Sequence, residues 1–134
     1  MNERKMKLLG TLQDYGDTNV DLLVDSNENA LYIAIPVYDD YQYAIVKVLP
    51  EEVLSYMKDE VPLIQLFENR EIILWTWEQK STLDRRIPFD NLEDDLEDMG
   101  KYQSEFGHEY NLIISFLISG YDSLMNQRLQ TVKA

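Results

Sequence analysis

The sequence predicts an α+β domain: a mostly antiparallel sheet covered by short helices and one longer C-terminal helix. Three observations carry this. Residues 31–48, LYIAIPVYDDYQYAIVKV, read as a β-hairpin, and the segments before it alternate apolar and polar side chains like further strands. After Leu49 the pattern turns helical, with Pro50, Pro62 and Pro88 each placed where a helix or helical turn begins. The chain has 134 residues, no internal repeat, no low-complexity segment and no flexible linker, so residues 1–134 are expected to form one domain with a self-sufficient core.

Residues 6–13 form a first apolar strand, and Asp14, Tyr15, Gly16 and Asp17 make a turn. Residues 20–25 follow as a half-buried strand, with Val20, Leu22 and Val24 on one side and Asp21 and Asp25 on the other. After the polar loop 26–29 comes the hairpin, which completes a four-stranded meander over residues 6–48. A two-residue turn at Asp39-Asp40 sets its register. On one face Leu31 then meets Val48, Ile33 meets Val46, Ile35 meets Ala44 and Val37 meets Gln42. On the other Tyr32 meets Lys47, Ala34 meets Ile45, Pro36 meets Tyr43 and Tyr38 meets Tyr41. The first face is aliphatic and belongs to the core; the second is rich in tyrosine. A four-residue loop over 38–41 is the alternative to the tight turn, and Pro36, which lacks an N–H, suggests an edge strand or a bulge.

Pro50 followed by Glu51 and Glu52 opens a helix over residues 50–60, because carboxylates favour the orphan N–H groups of a first helical turn. Pro62 starts one more turn, in which Leu63, Leu66 and Phe67 share a face. The segment at about 70–78 is a further strand with Ile73, Trp75 and Trp77 on one face and Ile72 and Leu74 on the other, so it joins the meander in an interior or covered position. Beyond the adjacent pair Arg85-Arg86, residues 88–99 read as an acidic amphipathic helix. Phe89, Leu92, Leu96 and Met99 make its apolar stripe, and Gly100 is its C-cap. A final helix is expected from about 105 or 108 to about 132. Its apolar stripe is too wide for an ordinary surface helix, which fits burial on two sides or a homodimer contact.

The hairpin strand LYIAIPV, the helix start Pro50-Glu51-Glu52-Val53-Leu54 and the run Pro62-Leu63-Ile64-Gln65-Leu66-Phe67 resemble a group of small bacterial and phage domains of unknown function. The likeness covers roughly residues 6–78. It implies a fold and carries no catalytic residue, cofactor or metal ligand over to this chain.

Composition narrows the function. With 12 basic and 25 acidic residues the formal charge is −13, which disfavours direct binding to nucleic acid or to an anionic membrane and suits a basic protein partner. The absence of cysteine excludes disulfides, zinc–thiolate sites and thiol nucleophiles, and points to a reducing cytoplasm. Residues 1–7 are charged and the next apolar run ends at Gly10, so no signal peptide is expected, and no apolar run is long enough to span a bilayer. There is no phosphate-binding glycine loop, no G-x-S-x-G and no H-E-x-x-H. His108 stands alone, flanked by Glu105 and Glu109 and without a nucleophile signature, and reads as an exposed polar residue.

Two surfaces remain as candidates for partner binding. One is the acidic run Asp90, Glu93, Asp94, Asp95, Glu97 and Asp98; the other is the hairpin tip Tyr38, Asp39, Asp40 and Tyr41. Carboxylates one helical turn apart can serve a divalent ion, but along one helix they point outward, and a solvated face is the simpler reading. The expectation is a small acidic, non-enzymatic protein-binding module of inhibitor, immunity or regulatory type, such as a phage or bacterial anti-defence protein. Mimicry of a nucleic acid to block a DNA- or RNA-binding enzyme is a sharper alternative, and a carboxylate enzyme using a divalent metal is the competing class.

Overall fold

The computed structural model of the chain describes residues 6–14, 18–37, 42–76, 85–103 and 110–120. A six-stranded antiparallel sheet runs through it in the order β1-β2-β3-β4-β5-β6, each strand hydrogen-bonded to its sequence neighbours. The strands are β1 (Met6–Asp14), β2 (Asn19–Asp25), β3 (Ala30–Pro36), β4 (Gln42–Val48), β5 (Ile73–Thr76) and β6 (Arg85–Arg86). The helices are α1 (Pro50–Met57), α2 (Glu93–Met99) and α3 (Tyr110–Ser115), the last continued by a π-helical turn over Phe116–Gly120. This is the α+β fold read from the sequence.

The hairpin register agrees pair by pair with the expectation. Leu31 lies opposite Val48, Tyr32 opposite Lys47, Ile33 opposite Val46, Ala34 opposite Ile45, Ile35 opposite Ala44 and Pro36 opposite Tyr43. Val37 N–H donates to the Gln42 carbonyl at 3.0 Å, which carries the register up to the turn. The turn itself, residues 38–41, lies outside the described residues. Pro36 makes no bulge, and it stands where the β2 side of β3 is no longer paired, a local edge as its missing N–H suggests. β3 is interior, and Pro36 is its last residue, beyond the final β2 pair of Asp21 with Ala34, so its missing N–H deprives no neighbour of a ladder bond.

β1 is an edge strand with two register shifts against β2, between Leu8 and Gly10 and between Thr11 and Gln13. The extra residues are Leu9 and Leu12, and both reach the core, Leu12 completely. A bulge lets the edge strand turn additional leucines inward, and its irregular edge is a poor template for another chain.

The sheet is apolar on both faces. One face carries Leu22, Val24, Leu31, Ile33, Ile35, Ala44, Val46 and Val48, and every described helix packs on it. α1 contributes Val53, Tyr56 and Met57; the 3-10 turn Leu63–Leu66, with Phe67 after it, contributes Leu63, Leu66 and Phe67. α2 and the residue before it add Leu96 and Leu92, and α3 with its extension adds Ile113 and Leu117. Tyr56 meets Tyr102 edge-on, with ring centroids 5.6 Å apart. Each such aliphatic or aromatic side chain, fully buried, stabilises the fold by roughly 1.5–3 kcal/mol before entropy is counted.

The other face holds a smaller cluster of Leu23, Ala30, Tyr32, Ala34, Ile45, Ile73 and Trp75, with Met6 and Tyr43 against it. Its members come from strands alone among the described residues. The tyrosine face of the hairpin is therefore a second, buried apolar layer. The described part of the C-terminal helix does not cover this face, since Ile113 and Leu117 lie in the first core. Residues 105–109 and 121–132 of the expected helix, with His108, lie outside the described residues.

Local chemistry explains the element ends. Pro50 is the first residue of α1, and the Glu52 carboxylate accepts the Leu49 N–H at 2.8 Å. Glu52 also takes a two-pronged contact from Arg70, whose Nη1 donates to the Lys47 carbonyl at 3.1 Å, tying the approach to β5 onto the β4–α1 corner. Partial burial of Arg70 pushes its guanidinium pKa down. α1 stops in a left-handed residue, Asp59 at φ 64°, with Asp59 N–H donating to the Tyr56 carbonyl and Glu60 N–H to that of Ser55. Gly100 ends α2 at φ 60°, donates to the Leu96 carbonyl at 3.2 Å and accepts from Leu63 N–H at 2.9 Å.

Candidate functional site

The acidic segment does not form the single helix that its period suggests. Pro88 leads a 3-10 turn, Phe89–Asn91, in which Asn91 N–H donates to the Pro88 carbonyl at 3.0 Å and Leu92 N–H to that of Phe89 at 2.9 Å. Leu92, at φ −112°, separates this turn from α2. Tightening to three residues per turn brings Phe89 and Leu92 onto the core side together. One consequence is that Asp90 lies outside α2, so it does not share a helical stack with Asp94 as it would in one continuous helix. Within α2 the pairs Glu93/Glu97 and Asp94/Asp98 keep that spacing.

Asp90, Asp94, Asp95, Glu97 and Asp98 are exposed, and Glu93 is half-buried. No lysine or arginine occurs between Arg86 and Lys101, so the face is uniformly anionic in sequence. Among the described residues, no three acidic or other ligand-type side chains converge on one point. The second candidate surface, Tyr38, Asp39, Asp40 and Tyr41, lies outside the described residues, although the strands leading into and out of it are well defined.

Asp95 and Asp98 do more than face solvent. Together with Thr18, Ile35, Pro36 and Met99 they line an open cleft of about 320 Å³. Thr18 precedes β2, and Ile35 and Pro36 end β3, so the cleft sits at the end of the sheet where β3 ends and β4 begins. Leu96, fully buried between these two aspartates, anchors the helix over the core and fixes where they stand. Thr18, Ile35, Pro36 and Met99 are the site residues that sequence reading missed. No local signal marks them, because the cleft exists only once α2 has docked across the strand ends.

Two further polar groupings lie elsewhere on the sheet. Thr11 Oγ1 donates to Asp21 Oδ1 at 2.9 Å across β1 and β2. Burial pushes the Asp21 carboxyl up, and the nearby Asp14 charge adds to this, while the Thr11 hydrogen bond opposes it. At the opposite end of β2, Glu28 accepts from Tyr32 Oη at 3.1 Å and from Lys47 Nζ at 3.2 Å. Burial alone would raise the Glu28 carboxyl, but the Lys47 and Tyr32 contacts outweigh it and hold the group below the ordinary glutamate range.

Comparison with known protein families, characterised proteins and solved structures finds no match to this chain. The likeness to small bacterial and phage domains therefore rests only on the LYIAIPV strand and the Pro50–Leu54 and Pro62–Phe67 motifs. No helix among the described residues is long and apolar enough to cross a membrane.

Proposed function

We propose that this protein is a small, acidic, non-catalytic binding module that docks on a basic surface of another protein through α2 and the cleft beside it. It would act in the cytoplasm as an inhibitor, immunity protein or regulatory adaptor of the kind phage and bacteria use in contests over defence. The observation that carries the reading is the uninterrupted anionic face of α2, held rigid by Leu92 and Leu96 and continuous with the cleft. Such a face steers a cationic partner toward it at long range and restricts which partners can dock. A second reading, mimicry of a nucleic acid, draws support from the one-turn spacing of Glu93/Glu97 and Asp94/Asp98.

The test compares two variants of equal charge as baits in lysate of the native host. One carries Glu93→Gln, Asp94→Asn, Glu97→Gln and Asp98→Asn; the other carries Glu51→Gln, Asp59→Asn, Glu60→Gln and Glu68→Gln at exposed sites outside α2. A basic protein retained by the parent and the second variant but lost from the first supports the proposal. Equal loss from both would reduce the acidity to a general charge effect. Release of that protein by duplex DNA, but not by added salt of the same ionic strength, would favour mimicry.

A further inference from the structure

We infer that the cleft between α2 and the strand ends receives one arginine side chain presented by the partner. This rests on the binding reading above and names the group that the site would recognise.

Among the described residues the cleft has two kinds of wall. Ile35, Pro36 and Met99 are apolar, whereas Thr18, Asp95 and Asp98 supply a hydroxyl and two carboxylates. Asp95 and Asp98 are three residues apart on one helix and therefore neighbours. Neither carboxylate makes an ion pair or hydrogen bond among the described residues, and no lysine or arginine side chain among them lines the cleft. An occupant must then combine an aliphatic body with a cationic head. A free metal ion would find two carboxylates and waste the apolar wall, and an anion or a neutral sugar would meet uncompensated negative charge.

Lysine and arginine both have the required shape, with a hydrocarbon stem that packs on apolar surface while the charge reaches polar groups. The geometry favours arginine. Its guanidinium is flat, less strongly hydrated than an ammonium, and presents five donors in a fork suited to two adjacent carboxylates with a hydroxyl beside them.

The experiment uses the full chain and N-acetyl-arginine amide as probe, followed by NMR. Saturable shifts are expected at the Ile35 and Met99 methyls and the Thr18 amide. N-acetyl-citrulline amide, which has nearly the same shape without the charge, should bind at least tenfold more weakly. The Asp95→Asn/Asp98→Asn variant should lose the shifts, while Glu60→Gln/Glu68→Gln, with the same change in charge, should keep them. Equal binding of citrulline, equal loss in both variants, or shifts that do not saturate would overturn the inference. If arginine does not seat while partner capture still follows the α2 carboxylates, the cleft assignment falls and the binding reading stands. If capture also ignores α2, the binding reading falls with it.

Discussion

Gln13 is the residue whose role departs most from its appearance in sequence. It reads as the last polar residue of a first strand, yet it is fully buried. Its amide donates to the Gln103 carbonyl at 3.0 Å and accepts the Gln103 N–H at 2.8 Å, closing a two-bond clasp between segments 90 residues apart. Nothing local announces this, because the partners are backbone groups brought near only by the tertiary fold. Gln13→Leu keeps the bulk but leaves these groups unpaired, so it should destabilise the domain by about 1–3 kcal/mol, measured by urea unfolding. Asp21 makes a pH prediction of definite sign. Its folded carboxyl is raised, so the stability linked to it is full at low pH and is lost as pH rises through that raised value. Asp21→Asn retains an acceptor for Thr11 and should melt higher than the parent at neutral pH, with the difference closing in acid. Glu28 works in the opposite sense: its contribution is present above the ordinary glutamate range and fades as pH falls through its lowered folded value. The hairpin pairs, by contrast, were legible because they depend on one local choice, the centring of the turn on Asp39-Asp40, and every pair through Pro36 and Tyr43 obeys it.

At the level of elements, strands with strong alternation and helices opened by proline were readable, and short or broken elements were not. β6 is two residues long, too short to show any period; it is held to β5 by pairing and by an exposed Arg86–Glu71 ion pair at 3.2 Å. The break at Leu92 escaped because steps of three and four both belong to an amphipathic helix. Phe89 to Leu92 is a step of three, which a 3-10 turn satisfies as well as an α-helix does. Docking of α2 depends on Leu92 and Leu96. Leu96→Ala should cost about 2–5 kcal/mol in unfolding free energy and should weaken partner capture without touching a single charge. Unchanged capture in a folded Leu96→Ala protein would mean that the carboxylates act without a fixed scaffold.

For the whole molecule, the sheet is buried on both faces, and the described helices occupy only one of them. That places α2 across the strand ends and joins part of the acidic run to the base of the hairpin in one cleft, a juxtaposition invisible in sequence because it depends on where α2 docks on the sheet. Exposed apolar residues mark a different surface, Leu112 at 64% and Ile118 at 59% exposure, on α3 and its extension. The two surfaces give the account its most direct test. Once a captured partner is purified, hydrogen exchange of the full chain with and without it should show new protection over 18–20, 35–37 and 90–99. Protection confined to α3 and the β1 edge, with those three segments unchanged, would contradict the assignment of binding to the acidic helix and its cleft.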